Sequence, residues 1–111
     1  MKKYLVIYSS SVPARDQMAN VTPEQGKAVM EAWMAWSRKA GSAIVDLGSP
    51  LGNAASITGA KAGDATSPIG GFSILQGDSR DAIVALMKQH PHLAMPGATI
   101  EVHEFMPIPG M

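Results

Sequence analysis

Residues 3–8 read KYLVIY, and the fold turns on how they alternate. The run is rich in β-branched and aromatic residues. Tyr4, Val6 and Tyr8 share one face of a strand; Leu5 and Ile7 share the other. A strand with one wet face alternates apolar and polar residues. Two apolar faces predict a central strand, covered on both sides.

Outward from this strand, SSSVPARDQMANV (9–21) reads as a loop. TPEQ (22–25) then carries the signals of a helix start. Thr22 suits the N-cap, Pro23 the first turn, and Gln25 can reach back in a capping box. The helix is expected to run to about Ala40 and to stop at Gly41, where a missing Cβ permits positive φ. Val29, Met30, Trp33, Trp36 and Ala40 form its apolar stripe. SAIVDLG (42–48) reads as a short strand. Residues 49–68 are small and polar and suggest a hairpin with a long tip, to which ASIT (55–58) adds a piece of strand.

IGGFSILQG (69–77) is the next strand, and Gly70 and Gly71 at its start suit a bulge or a close backbone approach. Asp78 or Ser79 caps a second helix, expected to reach about His90, with Asp81 favouring its positive end. Ile83, Leu86, Met87 and His90 make its inward stripe, and Pro91 ends it. TIEVHEFMP (99–107) is the last strand.

The order is β-α-β-β-α-β, which predicts an α+β, ferredoxin-like fold. Right-handed crossovers place two helices on one face of a four-stranded antiparallel sheet, in strand order 4-1-3-2. If Leu5 and Ile7 face the helices, Tyr4, Val6 and Tyr8 lie on the helix-free face. Such a face is too apolar for water. It predicts a homodimer, two sheets packed face to face as a dimeric α/β barrel.

Composition narrows the function classes. A chain of 111 residues fits a single domain, 1–111. Apolar residues make up 46% and charged residues 16%, a globular balance. Nine Lys and Arg offset nine Asp and Glu, so there is no basic footprint for nucleic acid. The absence of cysteine removes disulfides, thiolate nucleophiles and cysteine-based zinc sites. No apolar run approaches the roughly 20 residues that span a bilayer. MKKYLVIYSS mimics a signal peptide, but its apolar run is shorter than the roughly 7–15 residues required. The expected location is the cytoplasm.

Several stretches together resemble the YCII-related family of the dimeric α/β-barrel group. They are KKYLVIY, TPEQGKAVMEAWMAWSRKAG, GGFSILQGDSRDAIVALMKQHPHL and IEVHEF, nearly the whole chain apart from 49–68. The resemblance implies a ferredoxin-like fold, a homodimer and a pocket beside the helix-free sheet face. Some members are thought to use a histidine near the start of helix one and an aspartate in the following hairpin. Here Gln25 follows TPE, Asp46 in IVDLG is the nearest aspartate, and the DGPF tetrapeptide of a sister group is absent. The His–Asp pair therefore does not carry over.

The chemistry-bearing residues admit two readings. In IEVHEFMP (100–107), Glu101, His103 and Phe105 share one strand face; Val102, Glu104 and Met106 share the other. Glu101 and His103 are spaced about 7 Å along that face, too far for a hydrogen bond without bent side chains. His103 is the candidate general acid/base, with Tyr8, Ser73 or Asp46 orienting a ligand and Glu101 beside it. The bland alternative is the charged trim of an edge strand. His90 and His92 flank Pro91 and lack helical ligand spacing, so no metal site is expected, and a helix dipole explains His90. Trp33 and Trp36 suit core packing; alternatively Trp33 lines a pocket for a planar ligand, made adaptable by Met30, Met34 and Met87. No phosphate loop or nucleophile elbow occurs. The expectation is a pocket for a hydrophobic cyclic or aromatic small molecule, either with cofactor-free acid/base chemistry or as a non-catalytic binding module for a ligand or partner. Whether the chain is an enzyme stays open.

Overall fold

KYLVIY lies within strand β1, Lys2–Ser10, at the centre of an antiparallel four-stranded sheet. The computed structural model describes residues 1–11 and 21–110. After β1 come helix α1 (Pro23–Ala40), a 3-10 turn (Gly41–Ala43) and strand β2 (Ile44–Pro50). Strands β3 (Ala55–Thr58) and β4 (Lys61–Asp64) pair only with each other in a two-stranded sheet. Strand β5 (Ile69–Gly77), helix α2 (Arg80–Met87), a 3-10 turn (Pro91–Ala94) and strand β6 (Ala98–Glu104) complete the order. The main sheet runs β2-β5-β1-β6. The architecture is α+β, with two helices among the described residues. Of the expected 9–21 loop, residues 9 and 10 continue β1, and 12–20 lie outside the described residues.

The sequence left open which face of β1 meets the helices, and the structure decides against the case in which Leu5 and Ile7 do. Tyr4, Val6 and Tyr8 are buried in one cluster with Leu75, Trp36 of α1, and Ile83 and Met87 of α2. They therefore face the helices. Leu5 and Ile7 lie on the helix-free face with Ile74 and Phe72, their partners on β5. Both faces of β1 are apolar, so β1 could not orient itself. The edge strand decides: Val102 and Ile100, opposite Val6 and Tyr8, pack toward the core, while His103 and Glu101 stand opposite Leu5 and Ile7. The large rings of Tyr4 and Tyr8 fill the deeper space between sheet and helices.

Helix α1 starts as its sequence dictates. Thr22 Oγ1 accepts from Gln25 N–H, and Gln25 Oε1 accepts from Thr22 N–H, both at 3.1 Å. Its stripe is only partly buried. Trp36 is buried and Trp33 and Ala40 pack beside it, but Val29 is 52% exposed and Met30 is 62% exposed. The C-terminal half docks on the sheet; the N-terminal half is not covered by the core. The Trp36 indole N–H donates to the Leu86 carbonyl at 3.4 Å, joining α1 to α2.

Helix α2 is capped by Ser79, whose Oγ accepts from Ala82 N–H. It ends at Met87, short of the expected His90. Pro91 explains this: it holds the preceding residue, His90, in extended backbone at ψ 136°. In β5, Tyr8 pairs with Gly71 and Ser9 with Ile69, so Gly70 is the extra residue of a bulge. Every residue of β3 and β4 is exposed. The Cα radius of gyration, 15.6 Å, exceeds the roughly 13 Å of a compact chain this long.

Candidate functional site

Five rings and one hydroxyl meet where β1, α1 and the 3-10 turn after α2 converge. Tyr8 projects from β1 and Trp33 and Trp36 from α1. His90 and His92 flank Pro91. The His90 ring lies 4.9 Å from Tyr8, 4.3 Å from Trp33 and 4.5 Å from Trp36, centroid to centroid. Trp33 also meets Tyr8 edge to face at 5.3 Å.

Hydrogen bonds settle most of the protons. Ser73 Oγ donates to the Leu47 carbonyl at 2.6 Å, which uses its only proton. The Tyr8 hydroxyl, 2.9 Å away, therefore donates to Ser73. Burial pushes the Tyr8 phenol above its ordinary range, against the opposing effect of Ser73. His92 Nε2 donates to the Ser9 carbonyl at 2.9 Å, pinning the turn to β1. His90 Nδ1 accepts from the backbone N–H of His92 at 3.0 Å. His90 Nε2 is buried and has no partner among the described residues.

His90 is only 3% exposed. Burial, reinforced by the neighbouring His92, lowers its pKa from 6.5 to about 4. The ring is neutral at physiological pH. The helix-dipole account of His90 therefore fails, because it needs a cation. His90 instead caps the 3-10 turn.

The expected constellation around His103 is split by the sheet. Tyr8 and Ser73 face the helices and His103 faces the other way, opposite Leu5. Glu101 and His103, judged too distant from spacing alone, do bond: Nε2 to Oε1 is 2.9 Å. Their long side chains lean together along one strand face, and both are more than half exposed. Asp46 also turns away from the cluster. Its Oδ1 accepts from Gly48 N–H at 2.8 Å, which serves the irregular course of β2. Of the expected ligand residues, the structure brings together Tyr8, Ser73 and Trp33. His90 and His92 complete this group.

Among known protein families no model matches the chain, and no curated protein matches it. Among the described residues, no group of three or more His, Cys, Asp or Glu could hold a metal ion. No helix among them is long and apolar enough to cross a membrane.

A surface cleft of about 500 Å³ lies elsewhere, at the end of the sheet. It is lined by His103, Tyr4 and Val102 together with opposing charges, including Lys2, Arg80, Asp81 and Glu104. Lys2 pairs with Glu104 at 3.4 Å, and Tyr4 donates weakly to the same carboxylate at 3.5 Å. Its one buried polar side chain, Tyr4, already has Glu104 as a partner, so the cleft offers a ligand no unpartnered buried donor. The aromatic cluster does.

Proposed function

We propose that this chain is a homodimeric binding protein for a flat, apolar cyclic or aromatic small molecule, held at the Tyr8–Trp33–His90 cluster. The strand order and the placing of both helices on one face support a ferredoxin-like architecture, the kind that the YCII-related resemblance implies. The Leu5, Ile7, Phe72 and Ile74 face supports a dimer through the helix-free side. One observation carries the ligand site. Trp33 is only partly buried although it stacks on two buried rings, and Val29, one turn before it, is open to solvent. An aromatic wall at the boundary between core and solvent is suited to a planar guest.

The site favours binding over proton transfer. Its only histidine facing the rings without a full set of partners is a neutral donor in a dry setting. Acid/base chemistry at His103 is the second reading, favoured by its hydrogen bond to Glu101.

Thermal shift with flat aromatic probes (indole, quinoline, acetophenone) tests the first reading. Ligand at about 100-fold above its Kd adds about 2.7 kcal/mol, roughly 10 °C for a domain of this size. Trp33→Ala is expected to abolish the shift, and His103→Gln to leave it unchanged. A shift lost in His103→Gln and kept in Trp33→Ala moves the site to the helix-free face. No shift with any probe overturns the proposal.

A further inference from the structure

The orphaned nitrogen of His90 says which chemical class of ring the cluster takes. A backbone N–H can only donate, so the His90 Nδ1 that accepts from His92 must carry a lone pair. The one proton of the neutral imidazole then sits on Nε2. This N–H is enclosed, and no oxygen or nitrogen among the described residues accepts from it. Its neighbour does not share the defect: His92 Nε2 reaches the Ser9 carbonyl.

A buried donor without an acceptor costs about 1–3 kcal/mol. Trp33 and Trp36 meet the imidazole edge to face, at 88° and 64°, and neither gives Nε2 an oxygen or nitrogen acceptor. An N–H over a ring is a second-order contact, weaker than an N–H to oxygen. A guest that stacks on Trp33 and offers an oxygen to Nε2 satisfies the donor fully. Of the rings around His90, Trp33 is the one only partly buried, so a guest approaches from its side.

Charge sets the second restriction. Tyr8, Trp33 and Trp36, the rings stacked on His90, carry no charge, and the other neighbour, His92, already spends its Nε2–H on the Ser9 carbonyl. A carboxylate placed there loses its hydration and gains no counterion. A neutral carbonyl does not meet that penalty.

Resting on the binding reading above, we propose that the ligand is a flat apolar ring carrying a neutral carbonyl oxygen, oriented by a hydrogen bond from His90 Nε2–H. His90 is here a positioning donor and takes no proton from the ligand.

The test compares acetophenone, ethylbenzene and benzoate, three benzenes that differ in the acceptor. Binding is followed by the Trp33 indole N–H signal in ¹⁵N NMR spectra of the full chain. A purely apolar site prefers ethylbenzene, the least hydrated of the three. The expected result is that acetophenone binds about tenfold more tightly than ethylbenzene, with benzoate weaker than acetophenone. In His90→Phe the order of acetophenone and ethylbenzene is expected to reverse. Long-range ¹⁵N spectra of the ring at neutral pH should show the proton of His90 on Nε2. If that variant does not fold, the wild-type preference and the tautomer still decide.

Equal or reversed affinities in the wild type overturn the carbonyl class while leaving the Trp33 site standing. Benzoate binding as tightly as acetophenone overturns the restriction to neutral oxygen. A proton on Nδ1 overturns the assignment of His90. If no probe moves the Trp33 signal, the binding reading itself falls and this inference with it.

Discussion

His90 shows how a residue can be placed by sequence and still be misread. Its spacing from Ile83 and Met87 predicts the inward stripe of α2; the structure buries it, but beyond the helix end, at the start of the following 3-10 turn. What spacing does not reveal is that burial removes the charge. The consequence is a pH dependence of stability. The unfolded ring binds a proton near 6.5, the folded one only near 4. Between these values the unfolded chain holds more protons, so acid favours unfolding. Stability from this group is full above 6.5 and declines as pH falls toward 4, by roughly 3 kcal/mol in all. Urea titrations of wild type and His90→Phe across pH 4 to 7 check this: the variant should have the flatter profile. A parallel decline in both would show that His90 does not titrate as described. Glu101 and His103 teach the converse. Backbone spacing places them apart, and two flexible side chains close the gap to 2.9 Å.

The elements themselves were legible where local chemistry decides them. Thr22 and Gln25 form the capping box that TPEQ announces. Thr22→Ala should cost about 1 kcal/mol in chemical denaturation, and a cost near zero would mean the cap adds nothing. β2 was harder, because its path depends on β5. Gly48 has φ of 85°, and a Cβ on it would lie 1.7 Å from the Phe72 carbonyl oxygen. Asp46 holds the same turn by accepting from the Gly48 N–H. Gly48→Ala is therefore expected to destabilise by about 3 kcal/mol or more, from strain and the clash together. A denaturation midpoint close to wild type would contradict this. Sequence marks Gly48 only as one small residue among many; the obstacle is a carbonyl 24 positions away. Helix α1 differs in another way. Its stripe is continuous in sequence, yet only the C-terminal half meets the sheet, because the stripe says which side is apolar and not how far the sheet extends.

The molecule measures 48 × 44 × 20 Å, and its thin dimension is that of one sheet and one helix layer. Leu5, Ile7, Phe72 and Ile74 form the middle of the face that no described helix covers. A dimer through this face, as proposed, predicts a species of twice 11.6 kDa by sedimentation at micromolar concentration. Ile74→Lys should return it to 11.6 kDa, and an unaltered dimer would place the interface elsewhere. The β3–β4 hairpin pairs only within itself, and its strands are wholly exposed. A free two-stranded hairpin is marginal in water.

Periods and caps told from the chain alone that two helices alternate with strands, that β1 is central, and where the helices begin. These are local properties, set by alternation along one segment and by side chains that bond their own backbone. The face on which His103, Tyr8 and Ser73 would meet was not local. KYLVIY is apolar on both sides, so only the pairing of β1 with β6 could orient it, and that pairing sent His103 away from Tyr8 and Ser73. The same packing brought His90, 82 residues after Tyr8, beneath Trp33. A strand's period fixes which residues share a side; which side is buried depends on what the rest of the chain lays against it.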